Sequence, residues 1–363
     1  MSGSKTSHQE RTAHEPRGEG LHTVILSRID QINDTIRILR LSIPDGAPEI
    51  KLTRLPLTPS GQFLPGQWLD TFCPGVPKAG GFTITSQPSL ARRPSSSSSS
   101  SPAAPAATAA GYLELAVQRS PDNPAAAWLW REDQSAILGR ELRIRVGGSF
   151  VYPPVRRRHH HHLHQGAADE EPVLLPHRRA VFVAGGVGVN PLVSMVAHIA
   201  EQQQQQRRRQ GKASGGGRSP DSDDGGVVVE VHLLYSMKDP GPGRRDASKM
   251  LFVERLVGLF GRREVRGRMT LFLTGHDGED ADGGGDPKQS DKAVAGIGPD
   301  VPVLSRRIEL SDIVAAMGGP GSTDSAVVYV CGLPTMTDSL VEELTSADGL
   351  GMEKDRVLYE KWW

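Results

Sequence analysis

Arg179-Ala180-Val181-Phe182-Val183-Ala184-Gly185-Gly186-Val187-Gly188-Val189-Asn190-Pro191-Leu192-Val193-Ser194-Met195 is the stretch whose reading decides the fold. Val181 to Ala184 is a short unbroken apolar run, as a parallel strand shows when both its faces are buried. Three glycines follow within four residues, and Pro191 then suits the first position of a helix. Leu192, Val193, Val196 and Ile199 recur at helical spacing. A strand that runs through a glycine turn into a helix start gathers unpaired N–H groups at the positive end of the helix dipole. Such a point holds a phosphate, and glycines let the ligand approach the backbone. The spelling Gly-Gly-Val-Gly-Val-Asn-Pro is neither Gly-x-Gly-x-x-Gly nor a P-loop, which would need a Lys-Ser/Thr pair. Residues 180–200 are apolar enough to suggest a membrane span on length. The glycines, proline and asparagine inside the stretch, and the lack of a second one, argue against that.

Downstream, strand and helix patterns alternate. Strands are expected at 227–235, 269–274, 327–331 and 356–360, with helices at 248–260, 310–317 and 336–344 between them. That is an α/β doubly wound parallel sheet, whose ligands sit at the carboxyl ends of the strands. Upstream the rhythm differs. Short strands at 22–29, 35–41, 49–54, 68–72, 82–85, 112–117 and 141–146, with turn residues between them, suggest a small antiparallel β-barrel. Residues 1–20 mix charges without an apolar core and read as a disordered leader, with no secretory signal. The serine run 95–101 lies in a low-complexity insertion at 91–110. The Arg/His tract that includes His159–162 and His164 falls in an interdomain linker at 156–176. Further insertions at 201–226 and 276–300 are expected to interrupt loops rather than elements. The barrel then covers 21–155 and the sheet domain 177–363.

The chain has 363 residues and a formal net charge of +0, so a basic nucleic-acid-binding face is not expected. Its two cysteines, Cys73 and Cys331, supply neither a disulfide framework nor the ligands of a zinc site or an iron–sulfur cluster, and no metal site is expected. An intracellular protein without a membrane span fits this composition, with cytoplasm and mitochondrion both open.

Pro65-Gly66-Gln67-Trp68-Leu69-Asp70 and Gly80-Gly81-Phe82-Thr83-Ile84-Thr85-Ser86-Gln87-Pro88 resemble the FAD-binding FR-type barrel of the ferredoxin–NADP reductase superfamily. Cys331-Gly332-Leu333-Pro334-Thr335-Met336, the glycine turn, Leu233-Leu234-Tyr235-Ser236 and the terminal Tyr359-Glu360-Lys361-Trp362-Trp363 resemble its pyridine-nucleotide domain. The resemblance implies a two-domain flavoprotein reductase. Gly185, Gly186, Val187, Gly188, Val189, Asn190 and Pro191 would carry the pyrophosphate of NAD, and Gly332 and Met336 would border the nicotinamide. Phe82, Thr85, Ser86 and Trp363 would contact FAD or FMN. Thr83, near flavin N5, Cys331, beside the hydride path, and Glu360, as a proton relay, are the catalytic candidates.

Two departures stand out. Relatives place an arginine where this chain has Gly80, and a glycine with Ser/Thr where it has Asn123-Pro124-Ala125-Ala126-Ala127. A charge-assisted phosphate contact contributes about 1.5–3 kcal/mol, so flavin retention should be weakened. An arginine at position 80 would be expected to restore it. NADH is expected over NADPH, because Asp277, Glu279 and Asp280 follow Thr274-Gly275-His276, where NADP-specific relatives carry Ser-Arg; Ser236 and Lys238 are the other candidates near the ribose. The implied function is hydride transfer from nicotinamide to flavin, with a separate and unidentified electron acceptor. The alternative is a nucleotide-binding sensor or partner module that has lost flavin.

Overall fold

The computed structural model describes residues 7–44, 63–92, 111–156, 173–213, 228–275 and 293–362. The strand expected at 49–54, the serine run, the histidine tract, His276, Asp277, Glu279, Asp280 and Trp363 lie outside them. The chain divides into two compact units, Met1–Val173 and Leu174–Trp363.

In the first unit, β1 (His22–Asn33), β2 (Ile36–Ser42), β3 (Trp68–Phe72), β4 (Gly80–Thr83), β5 (Tyr112–Gln118) and β6 (Glu141–Gly147) form an antiparallel sheet in the order β4-β3-β6-β1-β2-β5. A bridge between Ile84 and Leu115, just past the end of β4, joins the two edges and closes the barrel. Period-two alternation sets what lies inside: Leu142, Ile144 and Val146 are buried, while the alternate residues Glu141 and Arg143 are exposed. The short helix α2 (Pro124–Leu129) packs Ala125, Ala126, Trp128 and Leu129 into the same core. Arg37 secures its far end by donating to the carbonyls of Leu129 (3.1 Å) and Arg131 (3.0 Å), where the helix dipole favours a cation.

The expectation of a disordered leader fails for residues 7–20. Ser7 starts a helical turn, α1 (His8–Arg11), with a reciprocal capping box to Glu10, and the chain then lies along β6 through a bridge between Arg17 and Gly147. The outer face of β3 explains why. Asp70 is wholly buried there, meeting Arg17 at 3.0 Å, Arg145 at 2.7 Å and His8 at 3.4 Å. His8 sets its ring edge-on to Trp68 at 4.6 Å, and a Cβ on Gly81 would lie 2.1 Å from that ring. Burial pushes the Asp70 carboxyl up, but the hydrogen bonds from His8, Arg145 and Arg17 and the Arg17 charge outweigh it and hold the group below its ordinary value.

Two short strands follow, β7 (Val155–Arg156) and β8 (Val173–Leu174). The second unit is then a parallel sheet of β9 (Arg179–Gly185), β10 (Glu230–Lys238), β11 (Gly267–Thr274), β12 (Val303–Leu304), β13 (Ala326–Gly332) and β14 (Val357–Lys361). The order is β12-β11-β10-β9-β13-β14. The chain winds outward from β9 in one direction, then returns to place β13 on its other side. That reversal makes the carboxyl ends of β9 and β13 the topological switch point, where an open α/β sheet has its crevice. Helices α5 (Leu310–Met317) and α6 (Pro334–Thr345) cover Val181, Val183, Phe272, Val328 and Val330 on one face. Helices α3 (Val189–Ala213) and α4 (Val253–Gly261) complete the unit.

Two expected insertions are corrected in part. Helix α3 continues through the glutamine run as far as Ala213 rather than ending before residue 201. Glutamine and arginine are good helix formers, and Gln203 is buried: its amide donates to the Val229 carbonyl (2.7 Å) and accepts from the Arg266 N–H (2.7 Å). Within 276–300, Ala295 bridges Asp246 and Val294 is buried, so this end of the segment is packed structure.

Candidate functional site

β9 delivers the chain to Gly185, and a single 3-10 turn, Gly186–Gly188, leads into α3. No side chain caps that turn. Its glycines divide the work. Gly186 has φ +55, and a Cβ there would meet nothing within 4 Å, so this glycine faces open space. Gly188 is buried, and its Cβ would lie 2.1 Å from the Cys331 carbonyl oxygen. Gly185 and Gly332 meet across the strand ends: a Cβ on Gly332 would lie 3.2 Å from the Gly185 Cα and 2.7 Å from the Met336 methyl. Val187 is half-buried, whereas Val189, Asn190 and Pro191 are buried in the first turn of α3.

β13 and β14 bring the other candidates to the same place. Cys331 pairs in register with Glu360, and the Trp362 N–H donates to the Gly332 carbonyl at 2.9 Å. Burial, and then the Glu360 carboxylate, push the Cys331 thiol well above its ordinary value, with the Trp362 side chain opposing them. Cys331 is therefore a neutral thiol at pH 7. Gly185, Gly188, Cys331, Gly332, Met336 and Glu360 thus form one cluster around an exposed glycine turn. At the ends of the neighbouring strands, Ser236 is half-buried and Lys238 exposed. Arg245 commits its guanidinium to Asp239, at 3.0 and 2.6 Å.

The barrel candidates are placed differently. Phe82 is buried in the barrel core, and Thr83 is buried with its hydroxyl unpartnered among the described residues. The Thr85 hydroxyl donates to the Glu114 carboxylate at 2.9 Å, and the Ser86 hydroxyl accepts from the Glu114 N–H at 3.1 Å. Both therefore tie the segment after β4 to β5. The region that the resemblance assigns to the flavin phosphate is filled by the chain itself. The Asn123 side chain accepts from the N–H groups of Ala125 (3.1 Å) and Ala126 (3.2 Å). A Cβ on Gly80 would lie 2.7 Å from the Ala125 Cβ and 2.7 Å from the Phe82 ring, so an arginine expected to restore phosphate binding at position 80 has no room. Measured against a flavin, these residues fit a hydrogen-bonding ring edge at Thr83 and do not fit a phosphate at α2.

Asn123, Ala125, Glu114 and the clasp of His8, Arg17 and Asp70 were not among the sequence candidates. Asn123-Pro124 carries a readable signal, an N-cap residue followed by proline at the first helical position. The others are joined across long sequence separations and carry no local signal.

No protein-family model matches the chain. It is 29% identical over 362 residues to oxidoreductase NAD-binding domain-containing protein 1 of Xenopus laevis, covering 100% of this chain and 86% of that protein. The Danio rerio protein of the same name is 25% identical over 359 residues, covering 99% and 98%. Among solved structures, a ferredoxin NADP+ reductase from Neisseria gonorrhoeae with bound FAD and NADP superposes with a TM-score of 0.53 at 13% identity, covering 94% of this chain and 99% of that one. The flavohem-like FAD/NAD-binding domain of nitric oxide dioxygenase from Vibrio cholerae gives 0.51 at 12% identity, covering 95% and 99%. The chain has the ferredoxin–NADP reductase architecture that its motifs implied, an FR-type barrel followed by an α/β parallel-sheet domain, and is similar along its length to proteins named as oxidoreductases. No helix of the described residues is long and apolar enough to cross a membrane.

Proposed function

We propose that this chain is an NADH-dependent oxidoreductase of the flavoprotein-reductase type. The observation that carries the reading is the uncapped turn Gly186–Gly188 at the switch point of the sheet, beside Cys331, Gly332 and Glu360. The turn's N–H groups and the start of α3 bind the dinucleotide pyrophosphate. Gly185 and Gly332 keep side chains out of the nicotinamide position, and Met336 packs beneath them. Cys331 offers a compact, uncharged wall there, and Glu360 holds or passes a proton. In the barrel, the Thr83 hydroxyl hydrogen-bonds the edge of a flavin ring. Such a ring, when bound, supplies the hydride acceptor, and the electrons leave to a separate acceptor.

NADH is used in preference to NADPH. Arg245 is spent on Asp239, and the acidic run Asp277, Glu279 and Asp280 repels a 2′-phosphate, whereas Ser236 suffices for a 2′-hydroxyl. Fluorescence titration of the purified protein with NADH and NADPH tests this. Equal or tighter binding of NADPH would assign Lys238 to the phosphate and refute the preference. NADH oxidation with added flavin tests the activity.

A second reading, a nucleotide-binding sensor or partner module that works without flavin, is favoured by the filled phosphate region at Asn123 and Gly80. It predicts NADH binding without flavin binding or NADH oxidation.

A further inference from the structure

We infer that this protein recognises a flavin by its ring alone, so that riboflavin, FMN and FAD bind alike and exchangeably. The inference rests on the oxidoreductase reading and adds to it the class of flavin that is used. A flavin phosphate in this fold needs free N–H groups at a helix start, a cation, or backbone bare enough to approach. At α2 each of these is spent. Asn123 takes the N–H groups of Ala125 and Ala126 at 3.1 and 3.2 Å, and both alanines are buried. The bare backbone of Gly80 is not open to a ligand, because the Ala125 methyl and the Phe82 ring already stand where its Cβ would be. Among the described residues, Arg37 binds the carbonyls at the far end of the helix, and the Arg131 guanidinium lies over the Trp128 ring, 5.6 Å from its centroid. The ring end is different, since the buried Thr83 hydroxyl has no partner among the described residues. A neutral ring edge satisfies it, and a phosphate gains nothing.

The experiment is a titration of the full chain with riboflavin, FMN and FAD, followed by quenching of flavin fluorescence, with NADH titrated in parallel. The expected dissociation constants of the three flavins agree within fivefold, and purified protein loses flavin on gel filtration. FMN or FAD binding more than fivefold tighter than riboflavin overturns the inference and leaves the oxidoreductase reading standing. Binding of NADH but of none of the three flavins overturns that reading and the inference with it.

Discussion

Helices α2 and α3 each begin with N–H groups that have no partner within the helix, and this chain finishes the two starts in opposite ways. At α3 the approach is three glycines with no capping side chain, and Gly186 looks onto open space. At α2 an asparagine caps the first turn, a proline precedes two buried alanines, and the facing glycine is closed off by a methyl group and a ring. The lesson is that a helix start is a ligand site only while its donors are unspent. An N-cap contributes about 1 kcal/mol to stability by making the same hydrogen bonds a phosphate would have accepted. One helix start is left uncapped, and the other is closed by its own cap and by the packing around it.

The largest test of this contrast is Gly188→Val. The added Cβ would drive into the Cys331 carbonyl, separating β9 from β13, so the second unit should lose roughly 3 kcal/mol or more by chemical denaturation. NADH affinity falls with it, and this variant reports on folding. Gly186→Val separates binding from folding. Its side chain has space, but φ +55 costs a β-branched residue about 1–2 kcal/mol. NADH binding by calorimetry should weaken at least about tenfold, or 1.4 kcal/mol. Undiminished affinity would move the dinucleotide away from this turn. Asn123→Ala should cost the barrel about 1 kcal/mol in thermal unfolding and leave NADH affinity unchanged. The smallest expected signal is chemical. Burial pushes Cys73 up to about 12, and Cys331 is also raised, so neither thiol should be alkylated by iodoacetamide at pH 7.5 in the native protein. Fast modification at Cys331 would show that the buried end of β13 opens in solution.

The sheet domain was legible because its signals are local. The run Val181–Ala184, the glycines and Pro191 lie within a dozen residues, and the helix expected at 310–317 is α5, Leu310–Met317. What escaped depends on partners distant in sequence. The glutamine run looks like a loop insertion until Gln203 is seen bridging Val229 and Arg266. Thr85 and Ser86 look like ligand contacts, but each also hydrogen-bonds Glu114, 29 and 28 residues on respectively. Residues 7–20 look too charged to fold, because their counter-charge, Asp70, is a strand residue 53 positions beyond Arg17. The filled phosphate region was legible only by half. The missing arginine and the missing Ser/Thr are visible in the sequence, but the close packing of Ala125 against Gly80 is not.

The amino-terminal clasp on Trp68 and Asp70 makes trimming and acidification two routes to one event. A chain beginning at Leu21 would lack His8 and Arg17, leaving Arg145 as the one remaining cation of that cluster. Acid reaches the same end from the other side. The Asp70 carboxyl titrates below its ordinary value when folded, so its contribution is complete above the usual carboxylate range and drains away as pH falls through the folded value. Either change peels Arg17 from above the Trp68 ring, where it now sits 5.0 Å from the centroid. Indole emission would shift to the red in both cases, before the barrel itself comes apart. Limited proteolysis near the amino terminus and a pH titration should then report a common spectrum, with residues 7–20 behaving as a detachable outer layer of the barrel.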